Sequence, residues 1–276
     1  MTAHPVADCH LHVLDPARFP YDPRAPYQPQ PRETAPARAL AEVHAAHGVT
    51  HALLVGPTSG YGTDNRCLLD ALVFGGPRWR GIALAEPDVA EVQLAALRTA
   101  GVVGLRLDLA AHGAGYADAC LRAGLFDRMR TLGMVAQVQA DAHQIPEALP
   151  ALRAARLTLV FDHCGRPDPA FGVAQPGFAA LLALGSEGTA CVKLSGAFRW
   201  AGGDWPHPAA DPYVAAILDA FTPDRCMWGS DWPFLRAGAR IDYGPELALV
   251  ARWLPDAGTR RSVLWETPAR LFGFVA

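Results

Sequence analysis

Asp8-Cys9-His10-Leu11-His12 lies inside a short apolar run near the start of the chain. Side chains of a strand alternate between two faces. Asp8, His10 and His12 are therefore expected on one side, and Cys9, Leu11 and Val13 on the other. Polar groups on a buried strand are costly unless they have partners or a task. Two later strings look like partners: Phe161-Asp162-His163-Cys164-Gly165-Arg166-Pro167 and Trp228-Gly229-Ser230-Asp231-Trp232-Pro233. In each, polar residues close an apolar run and Gly or Pro follows.

Histidine and aspartate converging on one point suit two chemistries. In one, His10, His12, His163 and Asp231 hold a single divalent metal, zinc or manganese, which makes a bound water acidic. In the other, no cofactor is required: Asp231 takes a proton from water and the histidines polarise a carbonyl. A bridging carboxylated lysine is not available, because Lys193 is the one lysine among 24 basic residues and falls far from the fourth and fifth strand candidates. A binuclear centre is therefore not expected. Lys193 shares a strand face with Ser195 and either points inward near the site or pairs with a carboxylate at the core edge. Ser195 lacks the strand–turn–helix elbow of a Ser-His-Asp hydrolase. The remaining histidines, His4, His44, His47, His51, His112, His143 and His207, are mostly expected on surfaces or in loops.

The elements that must position these groups alternate regularly. Strand candidates are Val6–Val13, His51–Val55, Gly81–Ala85, Val103–Leu109, Met134–Gln139, Leu157–Asp162, Ala190–Leu194 and Cys226–Gly229. Helical spacing marks Ala37–Ala46, Ala90–Ala100, Ala119–Leu132, Gln144–Ala154, Pro212–Phe221 and a closing segment, Thr259–Phe272. Such alternation predicts parallel strands joined by helical crossovers, closed into an α/β barrel of the (β/α)8 (TIM) type. The alternative, a doubly wound sheet, usually carries a Gly-rich turn after its first strand, and none follows here. The expected organisation is a single domain over residues 1–276. The catalytic ends of a barrel's strands are their C-terminal ends, and His10, His12, Arg106, Asp108, Gln137, Gln139, His163, Ser195 and Asp231 all fall there.

Arg106 and Arg199 stand at or just beyond two of these ends and could clamp substrate carboxylates. Pairing with a protein carboxylate such as Asp108 or Asp204 is the plainer alternative. Tyr27, on the Pro-rich stretch Phe19–Glu33, and Thr58 and Ser59, after the second strand, could add hydroxyl contacts. The Pro-rich stretch follows the first strand, so it is expected over the catalytic face as part of a lid. A second long connection, Phe198–Asp211, follows the seventh strand.

Bulk properties exclude several classes. The net charge is −3 and 51% of residues are hydrophobic, which gives no reason to expect nucleic acid or membrane as a partner. The six cysteines form no C-x-x-C pair and are expected reduced in the core. No basic segment with a long apolar run marks a signal peptide, so a cytoplasmic location is expected. A monomer or small homo-oligomer is expected.

Asp8-Cys9-His10-Leu11-His12, Gly62-Thr63-Asp64-Asn65, Gly104-Leu105-Arg106, Asp162-His163-Cys164-Gly165-Arg166-Pro167 and Trp228-Gly229-Ser230-Asp231-Trp232-Pro233 together resemble the amidohydrolase superfamily. More narrowly, they are similar to its 2-pyrone-4,6-dicarboxylate hydrolase and sugar-lactonase branch. The likeness runs to Trp265-Glu266-Thr267-Pro268-Ala269-Arg270-Leu271-Phe272 and so spans nearly the whole chain. It implies a distorted (β/α)8 barrel that opens a small carboxylated lactone. It makes Asp231 the base, places His10, His12 and His163 around the lactone carbonyl, and sets Arg106 and Arg199 on carboxylate-gripping positions. Tyr27, Thr58, Ser59, His112 and Gln137 fall on substrate-contact positions. His112 stands where the dicarboxylate enzymes carry a second arginine, and Gln137 where they carry a tyrosine. A mono-anionic or sugar-derived lactone therefore fits as well as pyrone dicarboxylate. A metal-aided sugar-acid lactonase and a metal-dependent decarboxylase are the rival activities, and a non-catalytic binding barrel is the rival of another class.

Overall fold

The computed structural model describes residues 4–276. The first three residues of the expected domain lie outside the described residues. Eight strands form one sheet: β1 (Ala7–Leu11), β2 (His51–Val55), β3 (Trp79–Ala83), β4 (Val102–Asp108), β5 (Val135–Gln139), β6 (Leu159–Phe161), β7 (Ala190–Ser195) and β8 (Cys226–Gly229). Each pairs in parallel with the next. Just past the strands, Asp231 N donates to the His10 carbonyl at 2.7 Å and His12 N to the Trp232 carbonyl at 2.9 Å, which closes the sheet into a barrel. Gly229 permits that closure. A Cβ there would lie 2.5 Å from the His10 Cβ and 2.7 Å from the His10 nitrogen.

Helices cross between the strands and cover the outside, as expected for (β/α)8 connections. The long helix expected over Ala119–Leu132 is two, Tyr116–Arg122 and Leu125–Thr131, because the chain turns at Ala123-Gly124. Arg66–Gly75, Pro176–Ser186 and Tyr243–Trp253 are further helices that the spacing did not mark. The closing segment is helical from Ala257 to Phe272, with a π-helical turn over Ser262–Glu266. Among the described residues no helix is long and apolar enough to cross a membrane.

Two apolar layers hold the barrel. Leu54, Leu105, Val138, Leu159 and Val192 face outward and pack on helix residues such as Leu68, Leu94, Phe126, Leu152 and Leu181. Ala7, Cys9, Leu53, Val55, Ile82, Val103, Val135, Val160, Cys191 and Met227 form a separate cluster inside, with Phe272 and Phe274 of the C-terminal segment packed on it. All six cysteines are buried and free.

Strict alternation fails in β1. Asp8 pairs with Ala52 but Leu11 with Leu54, so β1 carries one extra residue, a bulge. Asp8 therefore does not share a face with His10 and His12. Its carboxylate accepts from Ser230 N at 2.9 Å and from the Tyr243 hydroxyl at 2.9 Å. Cys9 belongs to the inner apolar cluster, whereas Leu11 and Val13 belong to the outer one. The bulge lets β1 supply both an apolar plug and two inward histidines. Three histidines expected on surfaces or in loops, His44, His51 and His207, are buried.

Candidate active site at the C-terminal strand ends

His10, His12, His163 and Asp231 converge above the inner apolar cluster. Asp231 Oδ1 lies 3.6 Å from His12 Nε2 and 3.9 Å from His10 Nε2, and Asp231 Oδ2 lies 3.8 Å from His163 Nε2. All four side chains are buried. His163 and Asp231 hold the left-handed backbone, at φ 52° and 64°. That conformation costs a non-glycine residue about 1–3 kcal/mol, a cost that recurs where side-chain aim matters for function. Gly196 makes room: a Cβ there would lie 2.6 Å from His163 Nδ1.

Neighbours orient each ring. His12 Nδ1 donates to the Val55 carbonyl at 2.7 Å, which turns Nε2 toward Asp231. His163 Nδ1 meets the Ser195 hydroxyl at 2.9 Å, and His10 Nδ1 meets Asp162 Oδ1 at 3.1 Å. Burial pushes His10 down to about 4 and His163 well below the ordinary imidazole value. At neutral pH His10 and Asp162 are therefore a neutral ring beside a carboxylate rather than an ion pair. Burial opposes ionisation of Asp231, but the charge of Arg199 and the His163 ring outweigh it and hold the carboxyl well below the usual range. Asp162 is held down in the same way, against burial, chiefly by Lys193.

Both candidate substrate arginines are engaged with carboxylates, though not with Asp108 or Asp204. Arg199 donates through Nε to Asp231 Oδ2 and through Nη1 to the Leu235 carbonyl at 2.8 Å. Arg106 Nε lies 3.7 Å from Asp162 Oδ2. Asp108 instead accepts from the Thr58 hydroxyl. A cavity of about 1290 Å³ opens over this centre, and Thr58, Ser59, Arg106, His112, His163, Arg199 and Asp231 are among the residues that line it. Residues 20 and 22–26 of the Pro-rich stretch line it as well.

Two expected contact residues are not brought to the cavity wall. Gln137 is fully buried below it, with its amide nitrogen on Asp162 Oδ2 at 3.0 Å and its oxygen on Lys193 Nζ at 2.6 Å. Gln139, one step further along the same strand face, lines the cavity in its place. Tyr27 donates its hydroxyl to Glu33 at 2.7 Å and lies under the Arg236 guanidinium, 4.5 Å from the ring centroid. The loop reaches the cavity, but this side chain props the loop from behind. Sequence reading missed Arg166, whose place in the Gly165-Arg166-Pro167 string was a usable signal, and Arg236, for which there was none; both line the cavity.

Ligating atoms of His10, His163 and Asp231 lie within 4.8 Å of one another. His10 Nε2 and Asp231 Oδ1 are buried without a hydrogen-bond partner. This donor set fits one divalent cation, held by two imidazoles and a carboxylate.

A family model described as amidohydrolase matches residues 7–274. The chain belongs to the amidohydrolase family. Among its relatives in that family, a 4-sulfomuconolactone hydrolase of Rhizobium radiobacter is 34% identical over 97% of this chain and 90% of its own length. A 2-pyrone-4,6-dicarboxylate hydrolase of Comamonas testosteroni is 28% identical over 96% of this chain and 89% of its own length. A solved structure from Pseudomonas putida, a candidate 2-pyrone-4,6-dicarboxylic acid hydrolase, superposes with a TM-score of 0.85 at 31% identity, covering 99% of this chain and all of that one.

Proposed function

We propose that this amidohydrolase opens a small lactone bearing an anionic group, a carboxylate above all, with Asp231 as the base. The observation that carries the reading is Asp231 itself. Its buried Oδ1 has no hydrogen-bond partner and faces His10 and His12, while its Oδ2 is tied to Arg199. The names of two relatives, a hydrolase of 4-sulfomuconolactone and one of 2-pyrone-4,6-dicarboxylate, support the substrate class.

Water bound at Oδ1 loses its proton to Asp231 as its oxygen attacks the lactone carbonyl carbon. The carbonyl oxygen becomes an oxyanion among the imidazoles of His10, His12 and His163. Collapse breaks the ring C–O bond, and the departing ring oxygen recovers the proton from Asp231. The product is a hydroxy acid, or its keto form where the lactone is an enol ester. If a single zinc or manganese ion is bound, His10, His163 and Asp231 hold it, and it supplies Lewis-acid polarisation of the carbonyl.

Anionic substrates have a second advantage here. Arg199 keeps Asp231 a weak base in the free enzyme. A substrate carboxylate that draws the guanidinium away raises the basicity of Asp231 when water must be deprotonated. Arg106, Ser59, Thr58 and His112 complete the grip on the ring and its substituents. A panel of neutral, mono-anionic and dianionic lactones, followed by acid release in a pH-indicator assay, tests the reading. Anionic lactones should be opened, and the neutral analogue of the best substrate should lose most of kcat/KM. Equal rates on both would refute it.

A further inference from the structure

Beneath the site, Lys193 is sealed inside the barrel, fully buried. Its ammonium group carries three N–H bonds. Three acceptors surround it: Gln137 Oε1 at 2.6 Å, Asp162 Oδ1 at 3.1 Å and His10 Nδ1 at 3.2 Å. Asp162 Oδ1 is also 3.1 Å from His10 Nδ1, so the three atoms form a nearly equilateral triangle. Asp162 Oδ2 is occupied separately by the Gln137 amide at 3.0 Å.

With Lys193 charged, as its hold on the Asp162 carboxyl requires, one distribution of hydrogens satisfies this cluster. If His10 carried its proton on Nδ1, that N–H would point at Asp162, as in the usual carboxylate–histidine pair behind a metal ligand. The third ammonium hydrogen would then face an N–H, buried and without an acceptor, which costs about 1–3 kcal/mol or more for a charged group. With the proton on Nε2, each ammonium hydrogen has one acceptor, and both Asp162 oxygens are occupied. The upper end of the ring agrees. His10 Nε2 and Asp231 Oδ1, 3.9 Å apart, are both without partners in the structure. An Nε2–H beside a carboxylate oxygen is a donor next to an acceptor, close enough for one reacting oxygen set to their side to touch both.

We propose that Lys193 is a positioning residue that fixes the His10 proton on Nε2, so that His10 presents a hydrogen-bond donor to the lactone oxyanion. Lys193 touches no substrate and acts through the ring. It also works against His10 as a metal ligand, since a ligating Nε2 must offer a lone pair. The chemical meaning of the inference rests on the lactone-hydrolase reading, but its test does not.

The test is the nitrogen-15 spectrum of the histidine rings in the intact protein, in which the two neutral tautomers give distinct Nδ1 and Nε2 shifts. The His10 signals are assigned by their loss in His10→Gln. We expect the Nε2–H form in the wild type and Nδ1–H in Lys193→Met, where Asp162 is left as the sole partner of Nδ1. Titration of the metal-stripped proteins with cobalt(II), read by calorimetry and visible absorption, should show Lys193→Met binding about 10-fold tighter or more. An Nδ1–H ring in the wild type would overturn the proposal, as would equal cobalt affinities in the two proteins. The wild-type tautomer is read without Lys193→Met, so failure of that variant to fold leaves that test standing. Active hydrolysis with an Nδ1–H ring would sink this inference alone, and an Nε2–H ring in a protein that opens no lactone would sink the functional reading alone.

Discussion

The lower and upper halves of the barrel interior are built from the same strands, yet they are opposite in kind. Val135, Val160 and Cys191 lie in the apolar plug, and two residues further along the same strands stand Gln137, Asp162 and Lys193. One step of the pleat turns a hydrocarbon core into a charged network. The lower half gains stability from burial and needs only shape. The upper half buries the charges of Asp162, Lys193, Asp231 and Arg106 with several polar atoms, and it stays folded because nearly each has a named partner. The atoms left over, His10 Nε2 and Asp231 Oδ1, are those on which the proposed chemistry rests. Imidazoles show the same contrast. Burial drives His10 and His163 down, whereas His207, in the connection after β7, is raised by the Glu246 carboxylate 3.7 Å away.

Substitutions in the two halves should therefore fail differently. Asp231→Asn keeps the shape but removes the proton acceptor, so kcat on a verified lactone should fall by roughly 10²–10⁴ while the folded fraction is unchanged. Near-normal turnover would remove Asp231 from the mechanism. Met227→Ala empties part of the plug. It should cost about 2–5 kcal/mol in urea unfolding and leave kcat of the folded enzyme nearly intact. A large kcat loss with little destabilisation would mean that the halves are not separable.

Arg199→Met should raise KM for an anionic lactone by roughly 10–100-fold, about 1.5–3 kcal/mol for charged hydrogen bonds at a partly exposed site. Its effect on a neutral lactone's KM should be small. Tyr27→Phe removes one hydrogen bond to Glu33, so the free energy of unfolding in urea should fall by about 0.5–1.5 kcal/mol with KM unchanged. A KM effect without a stability effect would put the hydroxyl on the substrate after all. His207→Gln removes a buried imidazole from beside Glu246, and its effect on stability is told apart by its pH dependence. Because Glu246 raises the folded-state value of His207, the contribution is present below the ordinary imidazole value and is lost as pH rises through the folded one. Unfolding at pH 6 and pH 9 should therefore show a larger difference between wild type and variant at pH 6.

Much of the site was legible because a parallel barrel sends each strand's C-terminal end to one face. His10, His12, His163 and Asp231 needed only that rule to be gathered, and the strands His51–Val55 and Cys226–Gly229 were read to the residue. Asp8 was misplaced because a bulge shifts the alternation by one, and bulges leave no mark in a polar–apolar pattern. Gln137 and Gln139 share a face and a residue type, so depth along the strand, not pattern, decides which meets the cavity. Tyr27 was drawn to the substrate by its loop, but the loop's own Glu33 claims its hydroxyl.

By itself, the sequence determined the period of the elements, the closed parallel order and the identity of the polar residues at the strand ends, because these follow from local spacing and connection handedness. Only the tertiary structure decided which polar groups face each other. Lys193 reaches His10 across 183 positions of chain, and Asp231 meets Arg199 across 32. Hydrogen bonding depends on tenths of an ångström and on direction, and strand register, bulges and backbone turns set those quantities for the folded chain as a whole.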